Sequence, residues 1–155
     1  MTAGTPPAAD EPRERPGDAV AAVTARADAG DLEGARAVCR GRLLVDPTNA
    51  KLRFYDGVIA RALGLIEEAE SAFRKALYLD RAFVMAHYHL GLFLIERGRR
   101  NLGRRSVANA ATLASTLPDD TELPEGDGIT AAILRDNARL VLAQTAELLS
   151  AEASS

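Results

Sequence analysis

The chain has 155 residues, 47% of them hydrophobic but only 5% aromatic, with no tryptophan, one cysteine and a formal net charge of −3. That length holds one small domain, and packing that rests on alanine, leucine and valine favours helices. An internal disulfide is excluded, no apolar run approaches the ~18 residues of a membrane span, and no basic-then-apolar start resembles a secretory signal, so a cytoplasmic protein without membrane insertion is expected.

Residues 1–16 contain Pro6, Pro7, Pro12 and Pro16 and little apolar content, which predicts a disordered leader or linker. Helix pairs are then predicted at about 18–29 with 33–45, 50–63 with 67–79, and 84–97 with 101–115. Each pair is divided by a glycine, and Gly30, Gly64 and Gly98 stand 34 residues apart. Five positions after each lies a small residue, Ala35, Ala69 or Gly103, and four further on an apolar one, Cys39, Phe73 or Val107. Seven positions before the second and third lie Gly57 and Gly91. Small residues at fixed offsets let two helices approach closely, and the glycine between them supplies a left-handed cap. Asp46 is followed by Pro47, which cannot continue a helix. Leu117 to Ile129 is predicted as a loop, broken by Pro118, Pro124, Gly126 and Gly128. Thr130 is a candidate N-cap for a last helix to about Ser150, whose Leu134, Ala138, Val141, Thr145 and Leu148 keep helical spacing. That helix either caps the array or binds a partner; residues 151–155 are expected to be a disordered tail.

This register resembles the tetratricopeptide repeat, with its W-x2-L-G-x2-Y, A-x3-F and P positions in 34 residues. His87, Leu90, Gly91 and Leu94 match its first helix, and Gly57, Ala60, Ala69 and Phe73 match in the second copy. Arg53 and Asp56 stand there where apolar residues are usual, and Arg81 replaces the closing proline. The first copy, with Ala19, Ala22, Val23 and Arg26, is degenerate, as end units tend to be. The resemblance implies an all-α, right-handed α-solenoid of about three tetratricopeptide helix pairs plus a C-terminal capping helix. Its domain covers 17–150, with repeats 16–49, 50–83 and 84–117 and the cap at 130–150.

The run from Gly64 through Phe73-Arg74-Lys75-Ala76-Leu77-Tyr78-Leu79-Asp80 to Gly91, followed by Leu123-Pro124-Glu125-Gly126-Asp127-Gly128-Ile129-Thr130-Ala131, is similar to the C-terminal repeat region of some CheR-type chemotaxis protein methyltransferases. The likeness implies a module of a bacterial chemosensory pathway. That family's catalysis belongs to a separate domain that binds S-adenosylmethionine, so no catalytic residue carries over. The chain is then either a stand-alone repeat protein or the tail of a longer enzyme.

Other constellations point away from catalysis, and no cofactor or metal is expected. Gly126 and Gly128 lie between helices, not after a strand as a nucleotide-binding turn requires. His87 and His89 are two apart, roughly 200° around a helix, with no third ligand nearby in sequence. Cys39 occupies an apolar repeat position and is expected to be a buried structural thiol. Ser106 has no recognisable base.

In tetratricopeptide folds the first helix of each pair lines a concave groove. The resemblance places Lys51, Phe54, Val58 and Arg61 there from the second copy, Met85, Tyr88, Leu92 and Ile95 from the third, and Val20, Thr24 and Ala27 from the first. Such a face suits an amphipathic helix or an extended apolar segment bearing acidic residues; alternatively, Phe54 and Tyr88 fill core between repeats. Arg97, Arg99, Arg100, Arg104 and Arg105 form a candidate electrostatic rim. The acidic loop at 119–127 is expected either to fold back over these arginines and occlude the groove mouth, or to be solvated. Nucleic-acid binding is disfavoured by the negative charge and the lack of an aromatic platform.

The function expected is that of a non-enzymatic adaptor. Its partner would be a protein or peptide, for example a chemoreceptor, a coupling protein or a methyltransferase. Alternatives are an accessory region of a chemoreceptor glutamate methyltransferase and a generic assembly scaffold. The sequence leaves open whether the first repeat pairs with a second copy.

Overall fold

The computed structural model of the protein describes residues 15–154, so the expected leader lies outside the described residues except for Arg15 and Pro16. Among the described residues there are seven helices and no strand. They are α1 (Pro16–Asp28), α2 (Leu32–Val45), α3 (Ala50–Ala62), α4 (Ile66–Leu79), α5 (Val84–Glu96), α6 (Arg100–Ala114) and α7 (Ala131–Ala153). Each helix packs on the next, and α7 returns onto α6 after the long loop between them. Contacts of α3 with both α1 and α5 make these three the inner layer of an α-solenoid.

The three periodic glycines build the turns inside the pairs. Their φ values are 83°, 77° and 82° for Gly30, Gly64 and Gly98, a left-handed conformation that a Cβ disfavours. After each glycine the next amide returns to the carbonyl five residues back: Asp31 to Arg26, Leu65 to Ala60 and Arg99 to Leu94, at 2.9, 2.8 and 2.9 Å. This satisfies carbonyls that a helix end leaves orphaned. Between pairs the punctuation is polar. Asn49 accepts a hydrogen bond from the Leu52 amide at 3.1 Å and so caps α3, while the Arg53 guanidinium donates to the Pro47 carbonyl at 3.3 and 3.1 Å. Thr130 caps α7 by accepting from the Ile133 amide at 3.3 Å.

Two clusters form the core. Ala19, Val20, Val23, Ala35, Cys39, Leu43, Leu52 and Ile59 close the first repeat onto α3. The larger cluster joins the second and third repeats through Phe54, Phe73, Phe83, Leu90, Phe93 and Leu94, and it takes in Leu123, Ala131 and Leu134 from the loop and α7. The last helix is thus sealed onto the third repeat by Ala131, Leu134, Ala138 and Thr145. Two sequence expectations about it change: Leu148 stays 49% exposed, and the helix runs to Ala153, three residues past the expected boundary. Asp56, the acid at an apolar position, is buried under α2. Its Oδ1 has no hydrogen-bond partner, and Arg40 approaches it at 3.8 Å. Burial pushes its carboxyl pKa up, opposed by Arg40, Arg36 and Arg53.

Candidate peptide-binding groove

The inner face carries a cleft of about 640 Å³. Thr24 and Asp28 of α1, Tyr55 and Val58 of α3, and Met85 and His89 of α5 line three sides, with Phe54 behind them. The fourth side is the loop between α6 and α7, through Leu123, Glu125 and Ile129 among others. The helical contributions follow the repeat: Tyr55 and His89, and Thr24 and Val58, are each 34 residues apart, while Lys51, the equivalent of Met85, lines a neighbouring hollow instead.

Of the groove residues expected from sequence, Thr24, Phe54, Val58 and Met85 line this cleft. Phe54 is only 2% exposed and packs edge-on against Tyr55 and tilted against Phe83, each with ring centroids 5.1 Å away. It is therefore floor and core rather than a contact surface, the second of the two roles open to it from sequence. Met85 is equally buried at 2%. Tyr88, one helical step from the cleft, is half-buried against the core, and burial pushes its hydroxyl pKa up. Leu92 and Ile95 are half-buried further along α5. Arg61 is tied to Glu96 across α3 and α5. Tyr55, His89 and Asp28 were not anticipated. The same 34-residue shift that relates Lys51 to Met85 would have reached Tyr55 and His89 four residues on, the next turn of that helical face. His89 is packed against Phe54 at 5.1 Å, and burial, with Arg61 as the smaller cause, lowers its pKa to about 4.

The acidic loop does not go to the arginines. It closes on itself: the Leu123 amide donates to the Ile129 carbonyl at 2.9 Å, the Gly126 amide to the Leu123 carbonyl at 2.9 Å, and the Ile129 amide to the Gly126 carbonyl at 3.1 Å. Glu122 and Thr130 form an antiparallel bridge at its neck. Its tip reaches α3, where the Tyr55 hydroxyl donates to Glu125 at 2.5 Å and the Lys51 ammonium lies 3.4 Å from the other carboxylate oxygen. Asp119 is held by Arg135 on α7. The expected rim is instead spent on internal ties. Arg99 pairs with Glu70 on α4 and Arg100 with Glu152 on α7, and Arg104 donates to the Leu142 carbonyl and to Thr145. Arg97 and Arg105 remain exposed, away from the groove. A wider hollow of about 790 Å³ lies along α4 beside Arg97 and Arg99. On its wall Glu70 pairs with both Arg74, at 3.2 Å, and Arg99.

No protein-family model matches the chain. It is 33% identical over 106 residues to the probable biofilm formation methyltransferase WspC of Pseudomonas aeruginosa, an alignment covering 68% of this chain and 25% of WspC. The chain spans about a quarter of the length of the curated relatives it matches. Among solved structures, the Yersinia enterocolitica type III secretion translocator chaperone SycD superposes with a TM-score of 0.74 at 13% identity, over 89% of this chain and 90% of SycD. PcrH in complex with the chaperone-binding region of PopD gives 0.72 at 17% identity, over 84% and 90%. Paired helices in a 34-residue register, with the same left-handed turn in every copy, decide the matter. The fold is a tetratricopeptide repeat array. In tetratricopeptide terms, the first helices α1, α3 and α5 face the groove, and the loop between α6 and α7 closes its fourth side.

Proposed function

We propose that this chain is a non-enzymatic protein-interaction module that binds a peptide or helix of a signalling partner in its concave groove, as an adaptor of a bacterial chemosensory pathway in the cytoplasm. The observation that carries the reading is the cleft of about 640 Å³, with Tyr55, Val58, Met85 and His89 converging on it. A tetratricopeptide array leaves such a face uncovered by its own repeats, and a segment laid along it gains apolar burial from several helices at once. The resemblance to the repeat region of CheR-type methyltransferases supports the chemosensory setting, the likeness to the probable biofilm formation methyltransferase WspC supports a link to a methyltransferase, and the complex of PcrH with a region of PopD supports a peptide as ligand.

The test uses a purified panel: a chemoreceptor signalling fragment, a coupling protein and a chemotaxis methyltransferase. A photocrosslinker at Val58 should capture one of them, and Thr24→Arg in the same chain should abolish capture while the protein still melts cooperatively. Phe54 is unsuited to this role, because truncating a fully buried phenylalanine costs about 3–5 kcal/mol of stability. Capture of none of the three discards the chemosensory assignment. A second reading, a repeat region that serves a methyltransferase catalytic domain, is favoured by the chain's matching a quarter of WspC. Crosslinking to the methyltransferase alone selects it.

A further inference from the structure

Glu125 occupies an unusual place for a loop carboxylate. Two cavities meet at it: the cleft of about 640 Å³ on one side and a second hollow of about 410 Å³ on the other, lined by Gly17, Val20, Asn49, Ala50, Lys51 and Asp80. The Glu125 side chain is a partition between them, only 16% exposed. Each of its carboxylate oxygens faces one donor from α3, the Tyr55 hydroxyl or the Lys51 ammonium, one helical turn apart on the same face. Charge-assisted contacts of this kind are the stronger hydrogen bonds.

The tip that delivers this carboxylate is held at a cost. Glu125 and Asp127 have φ of 59° and 52°, a left-handed conformation that a Cβ disfavours. The tip's backbone hydrogen bonds run within the loop, among Leu123, Gly126 and Ile129. Polar contact with α3 runs through the Glu125 side chain. Leu123, by contrast, is 4% exposed and belongs to the main core. The loop is thus anchored at Leu123 and strained beyond it, so the tip can lift without unfolding its anchor.

We propose that Lys51 and Tyr55 form a carboxylate-binding subsite of the groove, that Glu125 is its resident occupant, and that the partner is a peptide whose own acidic side chain displaces Glu125. This rests on the groove reading above and names the chemistry of its ligand. Glu125 is the template for the ligand's acid, while Leu123 keeps its own place in the core. With Glu125 lifted, the cleft and the second hollow both border the vacated position. Lys51 and Tyr55 then take the ligand's acid, and its neighbouring residues lie against Val58 and His89 on the cleft wall.

The probe is a fluorescent peptide of the chain's own loop sequence, Thr121 to Ile129, with a matched peptide carrying glutamine at the Glu125 position. Both are titrated into the full chain, into Glu125→Ala and into Glu125→Gln. The loop peptide should bind either variant at least tenfold tighter than the unaltered protein. The glutamine peptide should bind the variants at least tenfold more weakly than the glutamate peptide. Lys51→Met with Tyr55→Phe, added to Glu125→Ala, should remove the preference for glutamate without lowering the melting temperature further. Equal binding of the two peptides, or no gain on removing Glu125, overturns the proposal. If a signalling partner is captured at Val58 while the peptides fail to discriminate, the groove reading stands and the subsite falls. Discrimination without capture of a signalling partner leaves the subsite and discards the pathway.

Discussion

Gly91 on α5 and Gly103 on α6 lie so close that each occupies the space the other's side chain would need. A Cβ on Gly91 would come within 2.8 Å of the Gly103 carbonyl oxygen and 2.5 Å of a Val107 methyl; one on Gly103 would come within 2.6 Å of the Gly91 carbonyl oxygen. Backbone cannot yield as a side chain does. Gly91→Ala is therefore expected to destabilise the fold by about 2–3 kcal/mol, within the range for overpacking, measured by urea unfolding. Gly57→Ala, which meets the Phe73 ring at 2.8 Å, should cost less, because a ring can rotate away. Equal losses at the two sites would contradict the close backbone approach.

Gly41 and Gly64 differ in backbone angle rather than in space. A Cβ added at Gly41, inside α2, would meet nothing within 4 Å, and the same holds at Gly64, but Gly64 has a φ of 77°. Gly41→Ala should stabilise the protein by about 0.5–1 kcal/mol through helix propensity. Gly64→Ala should destabilise it by about 1 kcal/mol or more through left-handed strain. Opposite shifts in melting temperature for two chemically identical substitutions are the measurement.

His89 makes stability depend on pH in one direction. Its folded pKa of about 4 lies below the ordinary value of 6.5, so the unfolded chain binds the proton more readily. The neutral ring's contribution is fully present above pH ~6.5 and is lost as pH falls toward ~4. Asp28, Glu122, Glu125 and Asp127 share the cleft with it, but burial, with Arg61 as the smaller cause, sets the direction. The loss is on the order of 3 kcal/mol. Unfolding free energies measured between pH 7 and 4 should fall more steeply for the native sequence than for His89→Gln, and a proton NMR titration of the ring should have its midpoint near 4.

Cys39 should be chemically silent while the protein is folded. It is fully buried, its thiol donates to the Leu52 carbonyl at 3.2 Å, and burial is the main cause that pushes its pKa up to about 12. The thiolate is the reactive form. A disulfide exchange reagent at pH 8 should label it only as fast as the first repeat opens, and denaturant should raise the rate by orders of magnitude. Rapid labelling in native buffer would show that the packing of α2 on α3 is not as described.

The repeat, its turns and its helix boundaries were legible because they depend on local constraints. A glycine with positive φ, a small residue at a packing seam and a hydroxyl at a helix start are each dictated by backbone geometry within a few residues. Phe54 shows where that legibility stops: a 34-residue period identifies equivalent positions but not which of two adjacent helical faces each one serves. Phe54 is the buried floor of the cleft, and Tyr55, one residue on, is the more open of the two. The five arginines show the same limit. Their clustering is visible in the chain, but Arg99, Arg100 and Arg104 pair with Glu70, Glu152 and Thr145 on helices that return from elsewhere.

What the sequence determined by itself was an array of three paired helices with a closing helix, because period and propensity act through neighbours along the chain. Only the tertiary structure decided where the acidic loop goes. Glu125 and Tyr55 are separated by 70 residues, and their meeting depends on the curvature of the solenoid and on Leu123 being drawn into the core. Those are sums of many weak contacts among distant elements, so no local signal announces that the groove is already holding a carboxylate of its own.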